Sequence, residues 1–179
     1  MEADDAVPEL VVRRVRSGEW KQYRELRLRA LANDPMAFGS TLLREQGYPD
    51  EKWQEYCRSG SAAENSSTWI ATTIDDQWVG MCVCAEHEGD LHLFAMWVDP
   101  EYRGRKAGGS LLDATLRWVD ERFPERKVIL QVNPTQAAAL KLYLSRGFRA
   151  NGEQEPIGHT PGVLVDTMVR APRGAMPPG

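Results

Sequence analysis

The apolar positions of this chain recur with two different periods, and the switches between them mark out its elements. Leu10 to Val15 is a β-branched run and reads as a first strand. Trp20, Tyr23, Leu26, Ala30 and Leu31 then recur at helical spacing. Ser17 stands where an N-cap belongs, and Asn33-Asp34-Pro35 stops the helix. Residues 36–49 show no period and read as a surface loop. A second helix is expected from Asp50 to Arg58, followed by a flexible Ser/Ala/Gly connection from Ser59 to Ser67. Thr68 to Ile74, Trp78 to Glu86 and Leu91 to Val98 read as strands. The short turns Asp75-Asp76 and Glu88-Gly89-Asp90 between them predict an antiparallel meander.

From Arg105 to Phe123 the spacing of Leu111, Leu112, Thr115, Leu116 and Val119 is helical again, and Pro124 ends it. Lys127 to Val132 is a compact strand. Thr135 is placed to cap a helix reaching Arg146, with Gly147 closing it, and Phe148 onward and Gly162 to Val169 supply the last strands. The sum is an α/β domain with a mixed sheet, an antiparallel N-terminal half followed by β-α-β-α-β, spanning residues 9–170 as a single domain. The strands on either side of the 105–123 helix should be parallel neighbours joined by a right-handed crossover. Residues 1–8, acidic and small, and 171–179, rich in Pro and Gly, are expected to fray.

Composition narrows the classes. A hydrophobic content of 42% and a charged content of 27% suit a globular protein, and a net charge of −4 argues against a general nucleic-acid binder. No apolar run reaches membrane-spanning length and the first residues are acidic, so a cytoplasmic enzyme is the expectation. Cys82 and Cys84 share a strand face, but only Cys57 remains as a further thiol and no His spacing completes a metal site. Buried reduced thiols are expected, and no metal.

The chemistry concentrates in one stretch. An apolar strand ends at Val98-Asp99-Pro100, and Arg103-Gly104-Arg105-Lys106-Ala107-Gly108-Gly109-Ser110 leads into a Leu-rich helix. Free backbone amides, the positive end of a helix dipole and several cationic side chains therefore meet at one point, which suits phosphate. A P-loop is the nearest alternative, but Ala follows Lys106 where Ser or Thr is required.

Arg103 to Gly108 resembles the Arg/Gln-x-x-Gly-x-Gly/Ala motif of the GNAT superfamily of acetyl-CoA-dependent N-acetyltransferases. Further on, Asn133 to Tyr143 with Gly147-Phe148 is similar to that family's helix carrying a Leu-Tyr pair before Gly-Phe. Two motifs in the right order, each on the right element, cover Leu91 to Phe148. The chain departs from the pattern at Lys106, where glycine is usual, and at Gln136, where Asn is common. The resemblance implies acetyl-CoA as co-substrate, held by Met96, Trp97, Val98, Arg103, Gly104, Arg105, Lys106, Ala107, Gly108, Gly109, Ser110, Gln136 and Tyr143. The pantetheine arm would pair with the backbone of Met96 and Val98, and an amide near Val98, where parallel strands splay, would face the oxyanion. Tyr143 would serve as general acid beside the thioester sulfur, its ordinary pKa of about 10 keeping it protonated.

A base is harder to place. His92 lies in the strand feeding the loop, on the alternating face with Phe94, Met96 and Val98, and falls where some relatives keep a catalytic glutamate. Glu86 and Glu88 are alternatives, as is loss of the amine's proton to solvent. His87 reads as solvated, and His159 sits in a loop of open position. By resemblance the acceptor would enter between residues 33–56 and 153–162, with Phe38, Tyr48 and Trp53 as walls and Glu45, Asp50 or Glu51 attracting a cation. The expected function is acetylation of a primary amine on a small molecule or peptide by direct attack in a ternary complex. A non-catalytic acyl-CoA-binding module and a protein N-acetyltransferase are the alternatives. Many relatives dimerise through late strands, and an edge strand over 163–169 would permit that.

Overall fold

The computed structural model describes residues 9–174; the fraying expected of 1–8, and of 175–179 in the tail, falls outside the described residues. The elements are β1 (Leu10–Arg14), α1 (Trp20–Asn33), α2 (Leu42–Gln46), α3 (Asp50–Ala62), β2 (Ser66–Thr73), β3 (Trp78–His87), β4 (Asp90–Val98), α4 (Ala107–Arg122), β5 (Val128–Val132), α5 (Ala137–Ser145), β6 (Phe148–Pro156) and β7 (Leu164–Arg170). They form a mixed sheet of order β1-β2-β3-β4-β5-β7-β6, in which only β4 and β5 run parallel.

Strand alternation divides the core. Ile70, Met81 and Trp97 point to one face and pack with Tyr23, Leu26 and Leu31 of α1 and Trp53 and Cys57 of α3. Their neighbours Ala71, Cys82 and Val98 point to the other, against Leu111, Leu112, Leu116 and Val119 of α4 and Tyr143 of α5. The result is a three-layer α/β/α sandwich in which the two helical layers share no core residue. All three cysteines are buried and unpaired, and burial pushes the Cys82 thiol up to about 12.

Several local expectations change. Ser17 does not cap α1: Glu19 occupies the N-cap, its carboxylate held by Arg13 at 2.8 and 2.9 Å. The loop expected over 36–49 contains α2, capped by Thr41, whose side chain accepts from the amide of Arg44. A run as short as Leu42–Gln46 cannot display a full helical period, so its signal is the cap alone. The flexible tract expected over 59–67 is instead the last turn of α3 and the start of β2. Small residues are required there, because a Cβ on Gly60 would lie 2.2 Å from Thr68 Oγ1 and 2.7 Å from Thr68 Cβ. At α5, Gln136 rather than Thr135 holds the N-cap; the Thr135 amide and hydroxyl both donate to buried Asn133 Oδ1, at 3.1 and 2.8 Å. Finally, β7 is flanked by β5 and β6, so 163–169 is not an edge; β6 is.

The close contact at Gly60 makes a direct test. Gly60→Ala is expected to lower stability by about 1–3 kcal/mol despite alanine's better helix propensity. Urea unfolding should show a reduced midpoint at unchanged m-value.

Candidate active site

Two residues of parallel pairing hold β4 to β5, Leu91 with Val128 and His92 with Ile129, and beyond them the strands part. The parting has a local cause. Val83 pairs with Phe94 and Met81 with Trp97, so Ala95 and Met96 together oppose Cys82 in a β-bulge. Ala95 adopts φ +51°, a left-handed conformation unusual for alanine. Bent away from β5, the outer half of β4 leaves its edge open, and α5 closes the far side of the gap.

The gap is a cavity of about 560 Å³ lined by β4 from Leu93 to Val98, the loop and first turn of α4, Gln131 and Val132 of β5, and α5 from Ala137 to Tyr143. Of the residues expected to hold the cofactor, Met96, Trp97, Val98, Arg103, Gly104, Lys106, Ala107, Gly108, Gly109, Gln136 and Tyr143 line it. Arg105 and Ser110 do not. Arg105 lies over the Tyr102 ring at 5.4 Å, and the Ser110 amide is already spent on Lys106 O at 3.0 Å. The amides of Ala107, Gly108 and Gly109 precede the first intrahelical bond of α4 and so remain available to an anion. Lys106 occupies the N-cap at φ +65°, adopting the left-handed backbone that glycine would take freely, at a cost of about 1 kcal/mol. In exchange it places an exposed cation at the positive end of the helix. Such a cradle, beside an open strand edge, fits a phosphorylated thioester.

Arg103 has a different posture from the one expected of a phosphate ligand. Its Nε donates to Val98 O at 2.9 Å, and its Nη2 donates to Asp34 Oδ2 at 2.6 Å. The same Asp34 oxygen accepts from Trp97 Nε1 at 2.7 Å. Asp34, at the end of α1, thus ties the tip of β4 to the glycine-rich loop before α4. Nothing in the residue pattern announced this, because the partners are separated by more than sixty positions.

Tyr143 is buried against Phe148, ring centroids 5.8 Å apart, and burial raises its pKa well above the ordinary phenol value. The hydroxyl therefore stays protonated. His92 is placed elsewhere. The bulge reverses the alternation, so Met96 and Val98 face α4 while His92 and Phe94 point to the opposite face; the shared face expected of them is corrected. His92 stacks on Phe94 at 5.8 Å, meets His87 at 5.4 Å and lines neither cavity. Burial, then the neighbouring His87, lower its pKa. Glu86 is paired with Arg126 at 3.0 Å, and Glu88 sits exposed in the turn at φ +51°.

A second cavity, of about 490 Å³, lies between α1, α3 and the strands and is lined by Tyr23, Arg27, Glu45, Trp53, Glu55, Tyr56 and the strand residues Val83, Ala85, Phe94 and Ala95. Phe94 and Ala95 line both cavities. Of the expected acceptor residues, Trp53 and Glu45 line it. Phe38 is instead core, under the Arg27 guanidinium at 4.6 Å, Tyr48 packs on Trp53, and Asp50 faces Arg24. His159 donates to or accepts from Thr160 Oγ1 at 2.9 Å and bonds Phe38 O at 2.7 Å, fastening the β6–β7 loop to the segment after α1. Among the described residues no cluster of three or more His, Cys, Asp or Glu could hold a metal, and no helix is long and apolar enough to cross a membrane.

Comparison with known proteins agrees with this geometry. Residues 21–148 match the model of the Acetyltransferase (GNAT) family, and the chain belongs to that family. It is accordingly an acetyl-CoA-dependent N-acetyltransferase. Among solved structures it is similar to a GNAT-family acetyltransferase from Streptococcus pneumoniae (TM-score 0.74, 18% identity, 91% of this chain and 99% of that one). It is also similar to yncA, a putative acetyltransferase from Salmonella typhimurium with its cofactor acetyl-CoA (0.75, 13%, 96% and 98%). A third is the paia N-acetyltransferase of Thermoplasma acidophilum in complex with coenzyme A (0.68, 15%, 91% and 99%). No curated protein matches the sequence.

The Asp34 tie yields an ordered pair of stability effects. Asp34→Ala orphans the buried Trp97 indole N–H and is expected to cost about 1–3 kcal/mol. Arg103→Met, which removes a half-exposed guanidinium and leaves the indole bond intact, should cost clearly less. Urea midpoints of the two variants check the order.

Proposed function

We propose that the protein acetylates a primary amine of a small molecule by direct attack within a ternary complex. The carrying observation is the shared wall: one cavity on each side of Phe94 and Ala95, meeting at the bulge. Two separate sites with a common boundary favour simultaneous occupancy over a relay through an acylated residue. A volume near 490 Å³ suits a compact acceptor rather than a long peptide.

When bound, acetyl-CoA supplies an activated acetyl carbon. The chain supplies position and charge. The amides of Ala107, Gly108 and Gly109, with Lys106, bind the phosphates. The open edge of β4 from Leu93 to Val98 orients the arm between β4 and β5, and a backbone N–H at the parting stabilises the carbonyl oxygen as it gains charge. Tyr143 donates a hydrogen bond to the departing sulfur; its raised pKa favours lending the proton over surrendering it.

Deprotonation of the amine requires no dedicated base in this arrangement. The second cavity presents no unpaired carboxylate: Glu45 is held by Arg27 and Glu55 by Arg58. An ammonium entering such a site loses hydration without gaining a counter-charge, which lowers its pKa and favours the neutral nucleophile. The proton leaves to solvent, and His92 stands aside.

Initial-velocity lines should intersect, as a ternary complex requires; parallel lines would exclude it. Tyr143→Phe is expected to lower kcat by about 10²-fold while leaving the KM for acetyl-CoA within about three-fold. The pH profile separates the two bases. If the free amine is the reactive species, log kcat/KM rises with unit slope up to the substrate's own pKa. A histidine base whose pKa lies below its ordinary 6.5 would instead give a plateau by neutral pH.

A further inference from the structure

We infer that the acceptor is a primary amine carried on an aromatic body, rather than a polyamine or an amine on a short aliphatic chain. This rests on reading the second cavity as the acceptor site. Among the described residues, two exposed large apolar side chains line a cavity, Tyr56 and Phe94, 40% and 43% exposed, and both line this one. Tyr56 comes from α3 and Phe94 from β4, so one ring stands on the helix side and the other on the sheet side. The sheet beneath offers small residues. Val83 pairs with both Phe94 and Thr68, and Ala85 pairs with Ser66, so these side chains share the face under α1 and α3. Val83 and Ala85 are only half-buried. Two open rings above a floor of small side chains suit a flat apolar group, which buries surface on each of them.

Both rings are braced. Phe94 stacks on His92 with centroids 5.8 Å apart and planes 15° from parallel, and Tyr56 meets the buried Trp53 ring edge-on at 5.9 Å. Anchors already fixed by their neighbours lose little freedom on binding, so more of the contact remains as affinity. The polar lining, by contrast, is turned on itself. Both oxygens of Glu45 accept from Arg27, from Nε at 2.9 Å and Nη2 at 2.7 Å, and the Ser59 and Ser66 hydroxyls bond each other at 2.7 Å. Arg27 Nη1 and Trp53 Nε1 lack partners but are enclosed, which leaves ligand contact to the exposed rings. Glu55 is bonded by Arg58 through one oxygen and keeps the other. One such oxygen cannot match the several ammonium groups of a polyamine, and Lys52, 5.9 Å from the Tyr56 ring, adds a charge of the wrong sign for it. A short aliphatic amine would leave both rings in water.

In the transfer the amine nitrogen bonds the acetyl carbon as the carbon–sulfur bond breaks, and the proton lost by nitrogen balances the one gained by sulfur. The test uses the full chain with phenethylamine, propylamine and spermidine. Coenzyme A release gives kcat/KM, and calorimetry of N-acetylphenethylamine against N-propylacetamide, with coenzyme A present, gives a readout independent of turnover. The aromatic compound is expected to exceed its aliphatic partner by at least about ten-fold, in rate and in affinity, and to bind with a negative heat-capacity change. Tyr56→Ala, which removes the ring on the helix side, should compress that ratio several-fold. If near-UV circular dichroism shows that variant unfolded, Phe94→Leu, which keeps apolar bulk and removes the ring on the sheet side, serves in its place. Equal or reversed preference, spermidine as the best acceptor, or an unchanged ratio in the folded variant would overturn the inference while leaving acetyl transfer intact. Coenzyme A binding with no turnover of any amine and no binding of either amide would overturn the transfer reading as well.

Discussion

Everything at the candidate site depends on where β4 lets go of β5. A parallel pair held for only two residues is a weak junction, and the sheet tolerates it because β4 stays paired to β3 and β5 to β7 along their other edges. The bulge at Ala95 and Met96 supplies the bend, and its left-handed residue is strain stored where the two cavities meet. Had the strands stayed in register, hydrogen bonds between them would have filled the space that now admits a ligand.

Around that parting, charge is distributed by position more than by number. The start of α4 gathers free amides and Lys106, while Arg103, formally part of the same motif, is committed to Asp34 and Val98. The motif arginine thus braces the loop, while the unpaired amides stand apart from it at the helix terminus. On the opposite face Arg27 neutralises Glu45 and keeps an unsatisfied edge. Acidic residues in the sequence near the second cavity suggested attraction of cations; of these, Glu45 is bonded by Arg27 through both oxygens.

The fold was largely legible because its signals are local: apolar runs bounded by short turns in β2, β3 and β4, helical spacing in α1 and α4, and Gly147 in the left-handed conformation that ends α5. The parallel pairing of β4 with β5 followed from connection length and handedness. What escaped was set by contacts distant in sequence or by single backbone angles. His92, Phe94, Met96 and Val98 look co-facial under strict alternation, and only the bulge moves them apart. Gly60 reads as a flexible residue until Thr68 is seen against it. Val163–Val169 reads as an edge until β6 folds back outside it. The Asp34 tie and the orphan N–H groups of Arg27 and Trp53 are invisible in any pattern, since each depends on geometry rather than residue type.

A chain that handles a thioester also risks being acylated by it. Cys82 lies opposite the bulge, yet it is fully enclosed and stays protonated because burial lifts its pKa to about 12. Cys84 and Cys57 are sequestered in the same way. Packing thus shields all three thiols from acylation.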